Sequence, residues 1–503
     1  MRVTEFLSVL AEVDKSADFD DLKILGLSID SRKAGQDFCF VAIKGNDSDG
    51  HDFISNAANN GARLIVYDKK RKDYVENIAF KSNVLCVGVN NTRAAAASLA
   101  AEFFNQPNKK LKITGVTGTN GKTTVSFLLE HIFNANDRKS GLIGTVHYKI
   151  ADHKICAKNT TPDAVTIWNL FHSMVEHELV HCFMEVSSHA LDQSRTEGID
   201  FSHAVFTNIT HDHLDYHHDM ETYFRAKAKL FQGLLPHRYA VINTDDSYGG
   251  RLKQMTQAKV MDYAIKNKAA KIRAEDIKLG INNTEFTLIA PAGSVKIKTS
   301  MLGRYNVYNI LAAAAVAVIE GISPESIADA VESFKCPPGR LEQLKIDKPF
   351  KVFVDYAHTD DALKNVLQAM RELKPGRIIT VFGCGGNRDK KKRPLMGAIA
   401  SELADFLVIT NDNPRKEDPD IIIDNIVAGF AAGFSNYERI PDRKKAIERA
   451  LNLAAAGDFV LIAGKGHETS QIFKDKTIEF DDKKIALEIL KKVVSSKKQV
   501  ASK

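Results

Sequence analysis

The stretch Gly115-Val116-Thr117-Gly118-Thr119-Asn120-Gly121-Lys122-Thr123-Thr124 constrains the chain more than any other. An apolar, partly β-branched run (111–116) leads into it. An apolar stripe at helical spacing, Val125, Leu128, Leu129, Ile132 and Phe133, leads out. Strand, glycine-rich turn, then helix is the arrangement that cradles phosphate. Glycines let backbone N–H groups approach the oxygens, and the helix N-terminus adds positive potential. Gly118, Thr119, Asn120, Gly121, Lys122, Thr123 and Thr124 are therefore candidate ATP contacts. Lys122 is expected to reach the terminal phosphates and the Thr123 hydroxyl to face Mg²⁺. The spacing departs from the strict phosphate-loop pattern: Val116 stands five residues before Gly121, and Gly118 is an added glycine. A glycine turn that only caps a helix is the alternative.

The rest of the chain alternates predicted strands and helices, which implies an α/β protein with parallel sheets. At 503 residues it has room for about three domains. Breaks in pattern place them at 1–108, 109–335 and 336–503. Strands are predicted at 24–29, 37–43, 62–66, 111–116, 181–186, 204–209, 239–243, 351–354, 378–382, 406–409 and 459–462. Nearly every polar cluster in the second and third units falls at the C-terminal end of a predicted strand, where parallel sheets gather ligands.

Composition excludes several classes. Hydrophobic and charged fractions of 44% and 26% are those of a globular protein. A net charge of +6 is spread along the chain, which argues against nucleic acid and suits phosphorylated small molecules. Six widely separated cysteines without a Cys-x-x-Cys pair argue against a zinc site and a disulfide framework. No apolar run is long enough for a bilayer, so no membrane insertion is expected, and the expected compartment is the cytoplasm. A monomer is expected.

Three clusters carry chemistry. Glu185, at a strand end, suits a hard cation that bridges phosphates; an exposed loop acid is the alternative. His211, His213, His217 and His218 crowd one loop and raise zinc as an option. His213 beside Asp212 suits a second divalent ion or an orienting role better. In the third unit, Arg388 and Arg415 suit bidentate grips on carboxylates, and Asp412 and Glu468 suit an ammonium. A site of both signs reads as an amino-acid site, although Arg388 could be a surface ion pair and Asp412-Asn413-Pro414-Arg415 a plain turn.

Taken together, these stretches resemble the Mur ligases over nearly the whole length. The matching motifs are Asp30-Ser31-Arg32, 117–124, Asn159-Thr160-Thr161, 185–189, 212–217, 303–309, 338–342, 355–359, 385–389, 412–415 and 464–468. The resemblance accounts for the shifted glycine, because Thr-Gly-Thr-Asn-Gly-Lys-Thr is the family's own loop. It implies a UDP-binding unit, a central ATPase of the mononucleotide-binding type and a Rossmann-like C-terminal unit. It also implies that ATP phosphorylates the terminal carboxylate of UDP-N-acetylmuramoyl-L-alanyl-D-glutamate and that an amine attacks the acyl phosphate. Ser31 and Asn46 would touch the uridine nucleotide; Asn159, Thr160, Thr161, Ser187, Gln193 and Arg195 the muramyl dipeptide; Asn306, Asn309, Arg340 and Asp355 the ATP. Arg388, Asp412, Asn413, Pro414, Arg415, Gly464 and Glu468 would hold the added amino acid, which Arg415 marks as meso-diaminopimelate. Lys122, Glu185, His213 and Lys227 would be catalytic. Lys227, carbamylated by CO₂, would join Thr123, Glu185 and His213 around Mg²⁺. The alternatives are a lysine-adding member, folylpolyglutamate synthetase, or a phosphate-loop switch or motor. Two residues depart from the family's pattern: His211, where arginine is common, and Asp360, where proline is usual.

Overall fold

The computed structural model describes residues 1–10, 14–15, 22–45, 48–82 and 84–501. Three sheets follow one another along the chain. The first has five strands in the order Asp14–Lys15, Leu85–Val89, Leu64–Asp68, Phe38–Val41, Gly26–Ser28, parallel except for the first pairing.

The second sheet has eleven strands. Its centre is parallel: Lys259–Ala264, Tyr239–Asn243, Phe201–Phe206, Lys112–Thr117, His181–Glu185 and Ser140–Ile143 lie side by side. These strands are almost wholly buried because helices cover both faces, which is why they read as continuous apolar runs. The helix Lys122–Ala135 packs beside the alanine-rich Arg304–Ile319, whose small side chains allow close approach. The predicted stripe from Val125 to Phe133 is fully buried in that layer.

The edges of this sheet are antiparallel, which the sequence reading did not anticipate. Ile272–Leu279, Thr284–Ala290 and Gly293–Thr299 form a meander at one edge, and His147–Ile150 with His153–Cys156 a hairpin at the other. These strands are half-exposed and rich in Lys, Glu and Thr, so alternation is diluted and no apolar run marks them.

The third sheet orders Glu342–Gln343, Lys351–Asp355, Phe459–Ala463, Ile378–Phe382, Phe406–Ile409 and Tyr437–Arg439, parallel after the first pairing. The two edge strands went unpredicted; they are too short to leave a pattern. A separate hairpin, Ser470–Ile472 with Thr477–Glu479, closes over one end.

The third unit is pinned from within by Arg443 and Asp482, both with fully buried side chains, whose Nη2···Oδ2 distance is 2.7 Å. Arg443 also donates to Ala463 O (2.9 Å) and Asn411 O (3.3 Å), so one guanidinium ties two strand-end loops to the helix Asp482–Ala501. Removing the acid strands a buried cation. Asp482→Ala is expected to destabilise this unit by about 3–5 kcal/mol, read as a lowered denaturant midpoint. A midpoint equal to wild type would refute it.

Candidate functional site

The phosphate loop is shaped by close approach. Gly121 has φ +89°, and a Cβ there would lie 2.5 Å from Asn309 Oδ1. Only glycine tolerates both the conformation and the contact. The helix begins at Lys122, with Gly121 at its N-cap position. Lys122 Nζ donates to Gly118 O (2.9 Å) and Thr119 O (2.7 Å), and burial lowers its pKa against the opposing pull of Glu185 and Asp212.

Beside the loop lies a cavity of about 230 Å³, lined by Lys122, Thr123, Glu185, Asp212, His213, Lys227 and Arg340 among others. Glu185 is fully buried and its carboxylate is held from three directions. Thr123 Oγ1 donates to Oε2 at 2.9 Å, Thr145 Oγ1 to Oε2 at 2.9 Å, and Thr145 N to Oε1 at 2.8 Å. Gly144 makes room for it, since a Cβ there would sit 2.4 Å from Oε1. Lys227, on the helix Met220–Gln232, is buried; its Nζ donates to Gly118 O at 2.9 Å and lies 4.5 Å from the centre of the Tyr223 ring. Burial, reinforced by the charge of Lys122, drives its pKa well below the usual lysine value. His213 has a left-handed backbone (φ +54°), stands 3.4 Å from Asp212 and keeps 44% of its side chain exposed; close packing of the rest of the ring lowers its pKa. Among the described residues, no group of three or more His, Cys, Asp or Glu stands ready to hold a metal ion by itself.

On its other side the loop borders a cavity of about 460 Å³, lined by Asn120, Gly121, Thr124, Asn306, Asn309, Arg340, Asp355 and Asp361 among others. Two of the predicted contacts, Arg340 and Asp355, arrive from the third unit. Arg340 Nη2 donates to Thr123 Oγ1 at 3.0 Å, and its guanidinium lies 4.8 Å from the Tyr356 ring centre. Both Asp355 oxygens accept backbone N–H groups, from Leu341 (2.5 Å) and Ala357 (2.7 Å), so it shapes the loop around Arg340. Asn306 and Asn309 are joined side chain to side chain at 3.0 Å. Asp361 was not anticipated. Its Oδ2 accepts from Asn120 Nδ2 (2.6 Å) and Thr210 Oγ1 (2.9 Å), across the junction of the second and third units.

A third cavity, of about 660 Å³, brings two predicted groups together. Asn159, Thr160, Thr161, Ser187, Gln193 and Arg195 line one side; Arg388, Asp412, Asn413, Arg415, Gly464 and Glu468 line the other. Thr145, Thr160, Ser187, Asp212, His213 and Tyr356 border this cavity and the Glu185 cavity alike. Arg195 Nη1 donates to Thr161 O (2.8 Å) and its Nη2 to Gln193 Oε1 (2.7 Å). Among the described residues, neither Arg388 nor Arg415 is paired with a carboxylate, so the surface-ion-pair alternative for Arg388 has no partner; the Arg415 guanidinium donates only to the Gly386 and Asn413 carbonyls. Arg415 has φ +53°, and burial lowers its pKa. Pro414 is buried beneath the turn.

Ser31 does not line this cavity; it begins a short 3₁₀ turn in the first unit and its carbonyl accepts from Asn60. Asn46 lies outside the described residues. Of the two departures, His211 lines the large cavity. Asp360 opens the helix Asp360–Glu372 behind the Thr359 N-cap, where an acid suits the helix dipole as well as proline suits the backbone.

Residues that sequence reasoning missed include Thr145, Asp361 and Arg93. Arg93 joins Lys44 O (2.8 Å) to Gln193 Oε1 (3.3 Å), linking the first unit to the second. Thr145 follows the strand Ser140–Ile143, so the rule that ligands gather at strand ends would have found it had that strand been predicted.

A phosphate loop opening through a carboxylate-bearing cavity onto a chamber lined by arginines and acids is the arrangement of an ATP-dependent ligase. Comparison with known proteins makes the class specific. Family models described as "Mur ligase family, catalytic domain", "Mur ligase middle domain" and "Mur ligase, glutamate ligase domain" match residues 23–104, 116–317 and 339–466. A UDP-N-acetylmuramoyl-L-alanyl-D-glutamate--2,6-diaminopimelate ligase of Oceanobacillus iheyensis is 41% identical over 498 residues, covering 98% of this chain and 99% of the relative. One of Geobacillus kaustophilus is 43% identical over 470 residues, covering 92% and 94%. A solved structure of the same named ligase matches with TM-score 0.69 at 31% identity, over 98% of this chain and 99% of that one. The chain belongs to the Mur ligase family, and it forms an amide bond at the expense of ATP.

Proposed function

We propose that this chain adds meso-diaminopimelate to UDP-N-acetylmuramoyl-L-alanyl-D-glutamate in peptidoglycan precursor synthesis. The observation that carries the reading is the large cavity, where dipeptide-facing and amino-acid-facing candidates confront each other next to the phosphate loop. The near-full-length relatives bearing this name support it. We assign 1–108 to the UDP moiety, 109–335 to ATP and the dipeptide, and 336–503 to the amino acid; the working form is a cytoplasmic monomer. Among the described residues, no helix is long and apolar enough to cross a membrane.

A carboxylate is a poor acyl donor, and phosphorylation gives it a leaving group. Lys122 and Arg340 face the transferred phosphoryl from two units and neutralise its charge. Arg195, ordered by Gln193, orients the dipeptide carboxylate, and the Glu468 side presents the amine. Positioning and electrostatics then supply most of the rate. A hard cation fits the residues here: Glu185 and the Thr123 hydroxyl offer oxygen, and a carbamate on Lys227 would add anionic oxygens. His213, neutral near pH 7, serves as an orienting neighbour. Mg²⁺ held there would neutralise charge between phosphates. The test is ATP consumption with the UDP-dipeptide, scanned over diaminopimelate, lysine and ornithine. Consumption dependent on lysine rather than diaminopimelate would favour the alternative family member.

Arg415 should decide between those two. Diaminopimelate carries a carboxylate at its far end that lysine lacks, and a guanidinium grips it with two parallel hydrogen bonds. Without that carboxylate a half-buried cation stays unpaired. Arg415→Ala is expected to lower kcat/KM for diaminopimelate by about 10²-fold or more and to erase much of the preference over lysine. Competition kinetics that return wild-type selectivity for the variant would remove Arg415 from this role.

A further inference from the structure

Beneath the arginine-and-acid wall of the large cavity lies a cation that does not line it. Lys465 is fully buried, on the loop after the strand Phe459–Ala463. Its Nζ stands 3.0 Å from Glu468 Oε2, 3.1 Å from Asn413 Oδ1 and 3.6 Å from Asp412 Oδ1. Asn413 Nδ2 donates to the same Glu468 oxygen at 3.0 Å, and Ile472 N donates to Asn413 Oδ1 at 3.0 Å. Asp412 Oδ1 has no hydrogen-bond partner, so the nearby ammonium supplies its compensation.

Two consequences follow. The Asn413 amide oxygen is used up internally and one of its N–H groups orders Glu468, so much of this side chain serves the wall itself. The charge around Lys465 is also set from behind: Arg388 and Arg415 match Asp412 and Glu468, and Lys465 adds one positive charge to that group. A ligand end bearing only an ammonium meets that excess, and finds one Glu468 oxygen already taken. A ligand end bearing an ammonium and a carboxylate is neutral overall, and its carboxylate can answer the arginines.

We propose that Lys465 is a specificity-determining positioning residue, which biases the site toward a zwitterionic ligand end and against a lone cation by holding Asp412, Asn413 and Glu468 from behind. The inference rests on the diaminopimelate reading of this site. Without Lys465, Glu468 (still held by Asn413) and Asp412 would lose their internal cation and form an acidic pocket suited to a bare ammonium.

The test compares kcat/KM for diaminopimelate and for lysine in wild type, Lys465→Met and Glu468→Gln. Lys465→Met keeps chain length and removes the charge. It is expected to lower the diaminopimelate-to-lysine ratio about tenfold or more, mainly through the two KM values; a smaller fall overturns the inference. Glu468→Gln moves the balance the other way, so its ratio is expected to rise, and a ratio that falls or stays level overturns the inference even if Lys465→Met does not fold. A purely structural role for Lys465 would depress both substrates equally. A failure of the diaminopimelate reading itself shows in wild type, before any variant is compared.

Discussion

Lys122→Ala should lose amino-acid-dependent phosphate release by about 10³-fold or more while keeping its fold. Lys122 would hold the phosphoryl group in transfer, where charge is greatest, and such contacts contribute several kcal/mol to lowering the barrier. Its structural contribution is local. The two hydrogen bonds it makes are to carbonyls of its own loop, at about 1.5–3 kcal/mol each, against the cost of burying its ammonium. A cooperative melt near wild type together with absent turnover is the expected pair of observations. Near-normal phosphate release would take the phosphate-loop assignment with it.

Lys227→Ala should be inactive for a different reason. An ammonium in this cavity would repel both Lys122 and a divalent cation. Burial and Lys122 hold Lys227 toward the neutral amine, and a neutral amine is the form that reacts with CO₂. The nitrogen lone pair forms an N–C bond, one C=O π pair moves to oxygen, and one proton leaves the nitrogen, so the neutral amine becomes an anionic carbamate. Bicarbonate labelled with ¹³C should give a carbamate carbon resonance in wild type and none in Lys227→Ala. A short carboxylic acid should restore part of the variant's activity by supplying the missing oxygens. Full activity of Lys227→Ala, or no carbamate resonance in wild type, would falsify the assignment.

What could be read in advance depended on whether a function leaves a local pattern. The phosphate loop did, because strand, glycines and helix are contiguous from Lys112 to Ala135. The polar ends of Glu185, Asp412 and Glu468 did, because each follows a buried apolar strand. The meander over Ile272–Thr299 did not, since one face of each strand meets solvent and its charged residues mask the period. Thr145, Asp361 and Lys465 were illegible for another reason. Thr145 follows a strand that left no pattern, Asp361 and Lys465 matter through partners far away in sequence, Asn120 and Asn413, and no spacing records that Thr145 cradles Glu185 or that Asp361 receives Asn120. Sequence grouped Asn413 with the candidate amino-acid contacts, but only coordinates reveal that its amide turns inward to Lys465 and Glu468.

The junction between the second and third units has a consequence for timing. The phosphate loop owns Lys122, while Arg340, which reaches Thr123, and Asp361, which receives Asn120 and Thr210, belong to the other body. Neither body alone carries the complete set of residues proposed for phosphorylation. Were the third unit to swing aside, ATP would sit beside a lysine without its arginine, and idle cleavage by water would be slow. The unit that completes the apparatus is the same one that carries the amino-acid wall. If the proposed roles hold, docking acts as a logical AND gate, in which the activated acyl group would be made only where its acceptor is already delivered.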